Sequence, residues 1–184
     1  MPSPLLILDF DGVINMLGTA GEARRNPDVL GYVTQTELEC NGANYEVRYS
    51  RELVRRLNVA VRASGAEWLW LTTWNDCSMS NINPGIGTTA SDWIRWGSDA
   101  ANAIGSDPSA VEARAAAKYA AIVELINANP RPFAWIDDEA ATKFRTEDFP
   151  SLGEVEMLAL TPDPRVGVTG REFERLDGFL ALHR

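Results

Sequence analysis

The sequence predicts an α/β layered fold around a largely parallel sheet, with one β-hairpin projecting from it. Three observations predict this. Short apolar runs at Pro4 to Leu8, Glu67 to Leu71, Phe133 to Ile136 and Val155 to Leu160 have the length of strands buried on both faces. Between them lie segments whose apolar residues recur at helical spacing, and strands that alternate with helices imply parallel pairing. From Val29 to Tyr49 the pattern loosens to alternation about Asn41-Gly42, the dipeptide that most strongly marks a tight hairpin.

The elements follow in order. The first apolar run ends directly at Asp9, and the polar stretch from Asn15 to Asp28 reads as loop. After the hairpin, Ser50 caps a helix over Arg51 to Ala63 that turns Leu53, Leu57, Ala60 and Val61 to one face, and Gly65 ends it. The polar segment from Asn75 to Ala90 carries no clear period, and Trp93 to Trp96 fits either a strand or a helix. Asp107-Pro108 opens a further helix with Val111, Ala115, Tyr119, Ile122, Val123 and Ile126 at helical spacing, bounded by Pro130 and Pro132. Thr169-Gly170-Arg171-Glu172 has the capping-box form and opens a last helix with Phe173, Leu176 and Leu180 inward.

Composition narrows the chemistry. A chain of 184 residues fits one domain, 1–184, with the hairpin at 29–49 as an insertion. A net charge of −9 argues against nonspecific binding along nucleic acid, which needs a basic face to displace counterions. No apolar run is long enough to span a bilayer, and the first one lacks the basic flank of a signal peptide. A cytoplasmic location is expected, with Cys40 and Cys77 as free thiols. The only histidine, His183, stands next to last, where fraying is expected. Histidine-based nucleophilic catalysis and His-rich zinc sites are thereby disfavoured. The oligomeric state has no sequence signal.

Three strands end in polar groups: Asp9 and Asp11, Thr72 and Thr73, and Asp137 and Asp138; Lys118 lies on the helix before the third. In a parallel sheet these ends meet on one edge, where ligands bind. Three carboxylates there would repel one another unless a hard divalent ion sat among them, and Mg²⁺ suits such oxygen ligands. A carboxylate nucleophile would form an aspartyl-phosphate, a second carboxyl brought round by a turn at Gly12 would act as acid and base, and a hydroxyl and an ammonium would hold the transferring oxygens.

Asp9-Phe10-Asp11-Gly12-Val13 resembles the first motif of the haloacid dehalogenase superfamily of phosphohydrolases. Thr72 looks like its second motif, Lys118 its third, and Trp135-Ile136-Asp137-Asp138-Glu139 its acidic fourth. The resemblance implies a Rossmann-like three-layer sandwich with the hairpin as a small cap. It implies Asp9 as nucleophile, Asp11 as general acid/base, and Thr72 and Lys118 as phosphoryl ligands, with Thr73 the alternative to Thr72. Mg²⁺ would be held by Asp9, the Asp11 carbonyl and Asp137, with Asp138 assisting. Thr72-Thr73-Trp74 and the stretch from Thr161 to Thr169 look more narrowly like a subgroup related to the corresponding domains of RNA-repair proteins, including polynucleotide kinase-phosphatases.

The expected function is phosphomonoester hydrolysis on a nucleotide or a nucleic-acid phosphate end. Arg48, Arg51 and Arg55, near the start of the first long helix, would hold further phosphates beside Gly12 and Thr73. The alternatives are a small-metabolite phosphatase and a binding module that kept the fold without the chemistry. Trp74 could stack on a base, but packing is its ordinary role.

Overall fold

The computed structural model describes residues 2–74, 77–96, 108–139 and 155–184. Its centre is a five-stranded parallel sheet in the order β5-β4-β1-β6-β7: β1 is Leu5–Leu8, β4 Glu67–Trp70, β5 Asp92–Trp93, β6 Phe133–Ile136 and β7 Met157–Leu160. A separate antiparallel pair, β2 (Val33–Cys40) and β3 (Ala43–Ser50), forms the expected hairpin. The predicted α/β class and the hairpin are both present.

Every residue of β1 is buried because helices cover both faces of the sheet. Leu6 and Leu8 point into a cluster with Leu53 and Leu57 of α2 (Arg51–Ser64) and Leu176 and Leu180 of α5 (Gly170–Leu182). Leu5 and Ile7 point the other way, onto Ile122 and Ile126 of α4 (Pro108–Ala128). Burial on both faces is what a continuous apolar strand requires, at roughly 1.5–3 kcal/mol for each large side chain. Ser50 caps α2 by accepting from the Leu53 N–H at 3.0 Å, and Gly65 ends it at φ 70°. Thr169 and Glu172 close the expected capping box on α5. The Asp107 cap expected on α4 lies outside the described residues.

Register sets the site. Leu8 lies opposite both Trp70 and Ile136, so the three central strands end in one row. The next residues continue that row: the Asp9 N–H donates to the Ile136 carbonyl at 3.0 Å and the Leu71 N–H to the Leu8 carbonyl at 2.8 Å. Asp9, Thr72 and Asp137 therefore leave the sheet at neighbouring points on its carboxyl edge.

The hairpin turns through Asn41 (φ 53°) and Gly42 (φ 79°), the left-handed pair that a two-residue turn needs. It rests on the segment after β4, which forms a π-helical turn (Ser78–Ile82) running into a short helix, α3 (Asn83–Ile86). Gly85 packs closely at that contact: a Cβ there would fall 2.3 Å from the end of the Leu38 side chain, which would have to turn aside. The stretch from Asn15 to Asp28, expected as loop, instead contains a short helix, α1 (Ala20–Arg25), with its own capping box at Thr19 and Glu22.

Expectations for the cysteines, the histidine and one strand boundary are corrected. Cys40 and Cys77 are not free thiols: their Cα atoms stand 5.7 Å apart and the pair is a disulfide. The hairpin carries Cys40 to the segment after Thr72, a meeting that a sequence separation of 37 conceals. His183 does not fray; its ring lies tilted against Phe179 with centroids 4.5 Å apart, and its Nε2 lies 2.9 Å from Glu156. Glu156 precedes β7, so this histidine sits at the amino edge of the sheet, opposite Asp9. Trp93 proves to be in a strand, and β7 starts at Met157 rather than Val155. Among the described residues no helix is long and apolar enough to cross a membrane.

Candidate active site

At the carboxyl edge the Asp9, Asp137 and Asp138 carboxylates converge, with one oxygen of each within 4.8 Å of the others. Lys118 reaches them from α4. Its ammonium binds Asp9 Oδ2 and lies 2.7 Å from Asp137 Oδ2, with the Trp96 ring 5.8 Å away. Lys118 is 2% exposed, so this helical lysine is not a solvated one.

Fully ionised, the three carboxylates exceed the one ammonium by two negative charges, with Asp9 and Asp137 buried and Asp138 half-buried. The electrostatics register that imbalance. Burial, opposed by Lys118 and reinforced by Asp137, pushes the Asp9 carboxyl up to about 7. Burial together with Asp9 and Asp137 pushes Asp138 up to about 8. For Lys118, burial alone would pull the ammonium down, but the Asp9 and Asp137 carboxylates outweigh it and hold it above its ordinary value. With all three carboxyls ionised the site is one divalent charge short of neutral, and its all-oxygen donor set is the kind a hard cation takes.

Asp11 is not part of this cluster. Its Oδ1 accepts from Asn15 Nδ2 at 2.6 Å and its Oδ2 from the Trp74 indole N–H at 2.9 Å. After Asp9 the chain turns tightly from Phe10 to Asn15, with the Ile14 and Asn15 N–H groups both donating to the Phe10 carbonyl at 2.9 Å. Gly12 makes the turn at φ 71°, and a Cβ on it would fall 2.3 Å from the Asp138 carboxyl. Its part is thus to let the loop approach Asp138. Gly12→Ala meets both backbone strain and this clash. We expect it to cost about 2 kcal/mol or more in a denaturant titration and to disturb the cluster; a loss under about 0.5 kcal/mol would contradict the close approach.

Thr72 is buried, and Thr73 is exposed. The Thr72 hydroxyl accepts from the Trp74 N–H at 3.4 Å and its carbonyl from the Trp96 indole at 3.2 Å. Burial beside the row containing Asp9 favours Thr72 over Thr73 as the site hydroxyl. The arginines divide. Arg48 donates to the Gly18 carbonyl at 3.0 Å and pairs with Glu46, while Arg55 is exposed and bound to Glu52. Arg51 is exposed on the first turn of α2. The structure joins none of the three to the carboxylates.

Sequence reasoning missed three participants. Asn15 follows Asp11 by four residues across the glycine turn, a spacing that was the available signal. Trp74 was weighed for packing or base stacking, and it packs against Phe10 and Tyr45 at 5.2 and 5.3 Å, but its N–H serves Asp11. Arg114, one turn before Lys118, holds Glu139 in a two-pronged pair at 2.8 and 3.2 Å and feels Asp9 and Asp138.

No known protein family, curated protein or solved structure matches the chain.

Proposed function

We propose that the chain is a phosphomonoesterase that uses Asp9 as nucleophile and a divalent cation, Mg²⁺ by choice, on a Rossmann-like fold of the haloacid dehalogenase type. The observation that carries this reading is the Asp9–Lys118–Asp137–Asp138 cluster, buried except at the half-buried Asp138, with an excess of two negative charges when ionised. Such an excess suits a site that takes up a cation together with a phosphoryl group.

Asp9, Asp137 and Asp138, with the Asp11 backbone carbonyl, would hold the cation. When bound it neutralises the carboxylates and the phosphoryl oxygens, so that an anion can approach an anion. In the first half-reaction an Asp9 oxygen forms a bond to phosphorus, the ester P–O bond breaks, and the departing oxygen takes a proton from Asp11. In the second, Asp11 takes a proton from water, the water oxygen bonds to phosphorus, and the P–O bond to Asp9 breaks, releasing inorganic phosphate. Lys118 and the Thr72 hydroxyl stabilise the phosphoryl oxygens through both steps.

For the substrate, a nucleotide or nucleic-acid phosphate end remains the reading that the motif resemblance supports. A specific observation favours a small phosphorylated metabolite instead: Arg48 and Arg55 are already engaged by Glu46 and Glu52. A substrate panel with Mg²⁺ separates the two, using an aryl phosphate, mononucleotides, and oligonucleotides phosphorylated at either end. Asp9→Asn should lower turnover by about three orders of magnitude or more on every substrate hydrolysed. Retained activity in that variant rejects the mechanism. A protein that binds Mg²⁺ but cleaves no ester is instead a silent binding module.

A further inference from the structure

We propose that Trp74 and Asn15 are positioning residues that clamp the Asp11 carboxyl, one donor on each oxygen, and so fix the direction in which it exchanges a proton with the substrate. This deepens the phosphatase reading above and rests on Asp11 being its acid/base group.

A free aspartate side chain turns about two torsions, and an acid/base group acts only within hydrogen-bond reach of its proton partner. Here both torsions are fixed. The Asn15 amide holds Oδ1 at 2.6 Å and the Trp74 indole holds Oδ2 at 2.9 Å. A carboxylate offers about four lone-pair sites, so two such donors leave one on each oxygen for substrate or water. Both donors are themselves held. Asn15 Oδ1 accepts from the Arg48 N–H at 3.0 Å. Asn15 also pairs its backbone with the Asp11–Gly12 turn, through the Gly12 N–H to the Asn15 carbonyl at 2.8 Å. The Trp74 ring is wedged edge-on against Phe10 and Tyr45 and is 8% exposed. An indole N–H only donates, and this one reaches across 63 positions of sequence to a carboxylate beside the nucleophile. Tight support of this kind around a reacting group is what sets its geometry.

The test uses two esters. A poor leaving group, such as an alkyl phosphate, depends on a proton from Asp11, whereas 4-nitrophenolate departs with little help. Trp74→Phe removes the N–H and keeps a ring against Phe10 and Tyr45. It should lower kcat on the alkyl ester about 10-fold or more relative to kcat on the 4-nitrophenyl ester, with the change in kcat and not in KM. Asn15→Ala should act in the same direction, and neither variant should add to the defect of Asp11→Asn. Equal falls on both esters, or a change confined to KM, overturn the proposal. If Trp74→Phe fails to fold, 3-benzothienylalanine at position 74 keeps the bicyclic ring and replaces the N–H by sulfur. An arm that needs no turnover follows the Trp74 indole N–H resonance, identified by its loss in Trp74→Phe. In Asp11→Ala it should shift upfield and lose exchange protection; an unmoved resonance means there is no clamp. Asp9→Asn runs beside these variants. Activity surviving that change rejects the phosphatase reading, while the resonance still decides whether Trp74 holds Asp11.

Discussion

Replacing Lys118 with methionine is expected to cost the fold about 3–5 kcal/mol in the absence of divalent cation and to abolish turnover. The ammonium is buried to 2% exposure and serves both Asp9 and Asp137. Methionine fills the same space on α4 but leaves Asp9 and Asp137 without the ammonium that both contact. Removing one partner of a buried ion pair is costly because the other charge stays behind uncompensated. Part of the loss is relieved as Asp9 and Asp138 take up protons, so the variant should be less impaired at pH 5 than at pH 8. Urea titrations at the two pH values in a chelator measure this directly. A loss under about 1 kcal/mol at pH 8 would mean that the lysine does not neutralise the cluster. A protein of this size has only about 5–15 kcal/mol in total, so the expected loss is a large share.

The second large effect is the pH dependence of the metal-free protein. Asp9 and Asp138 are pushed up to about 7 and about 8 in the fold, from an ordinary 3.8. Between roughly pH 4 and pH 8 the folded state therefore holds protons that the unfolded chain has released. Stability must fall as pH rises through that window, by an amount on the order of a few kcal/mol, and level off above it. The acids held below their ordinary values, such as Glu52 beside Arg55 and Arg56, titrate beneath this window and do not offset it. A divalent cation binds the ionised carboxylates, so it should tighten with pH and restore about 3 kcal/mol at a hundredfold excess over Kd. Calorimetric melting at pH 5, 6, 7 and 8, with EDTA or with MgCl₂, reads both effects. Asp138→Asn should flatten the upper part of the slope. A metal-free melting temperature that climbs from pH 5 to pH 8 would sink the account.

Much of the layout was legible because it rests on local rules. Buried strands read as apolar runs, Asn41-Gly42 as a turn, Ser50 and Gly65 as helix ends, and Thr169 with Glu172 as a capping box. The position of the cluster followed from parallel pairing, since strands in register bring Asp9 and Asp137 to one edge whatever the loops do. What stayed hidden depends on distant partners. The fold of 77–86 carries no hydrophobic period, because that segment is shaped by Gly85 and Asn81 meeting Leu38 and Glu39 of the hairpin and by Trp70 donating to Asn83. The link between Cys40 and Cys77 is of the same kind. The arginines show a related limit: charge at a helix start was visible, but the pairing of Arg48 with Glu46 and of Arg55 with Glu52 needed the geometry of neighbouring turns. Asp11 illustrates the limit most clearly. Its place two residues after Asp9 was plain, yet the direction of its side chain is set by residues 4 and 63 positions away.

The bond between Cys40 and Cys77 closes a covalent ring that contains the hairpin tip, all of α2 and the inner strand β4. A protease that cuts once inside this ring would open the backbone without releasing either half. The two fragments should run as one species on a non-reducing gel and as two after dithiothreitol. Their separation without reductant would disprove the cross-link. Such a ring also means that the hairpin, for all its exposure, cannot drift free of the segment it rests on unless sulfur chemistry releases it.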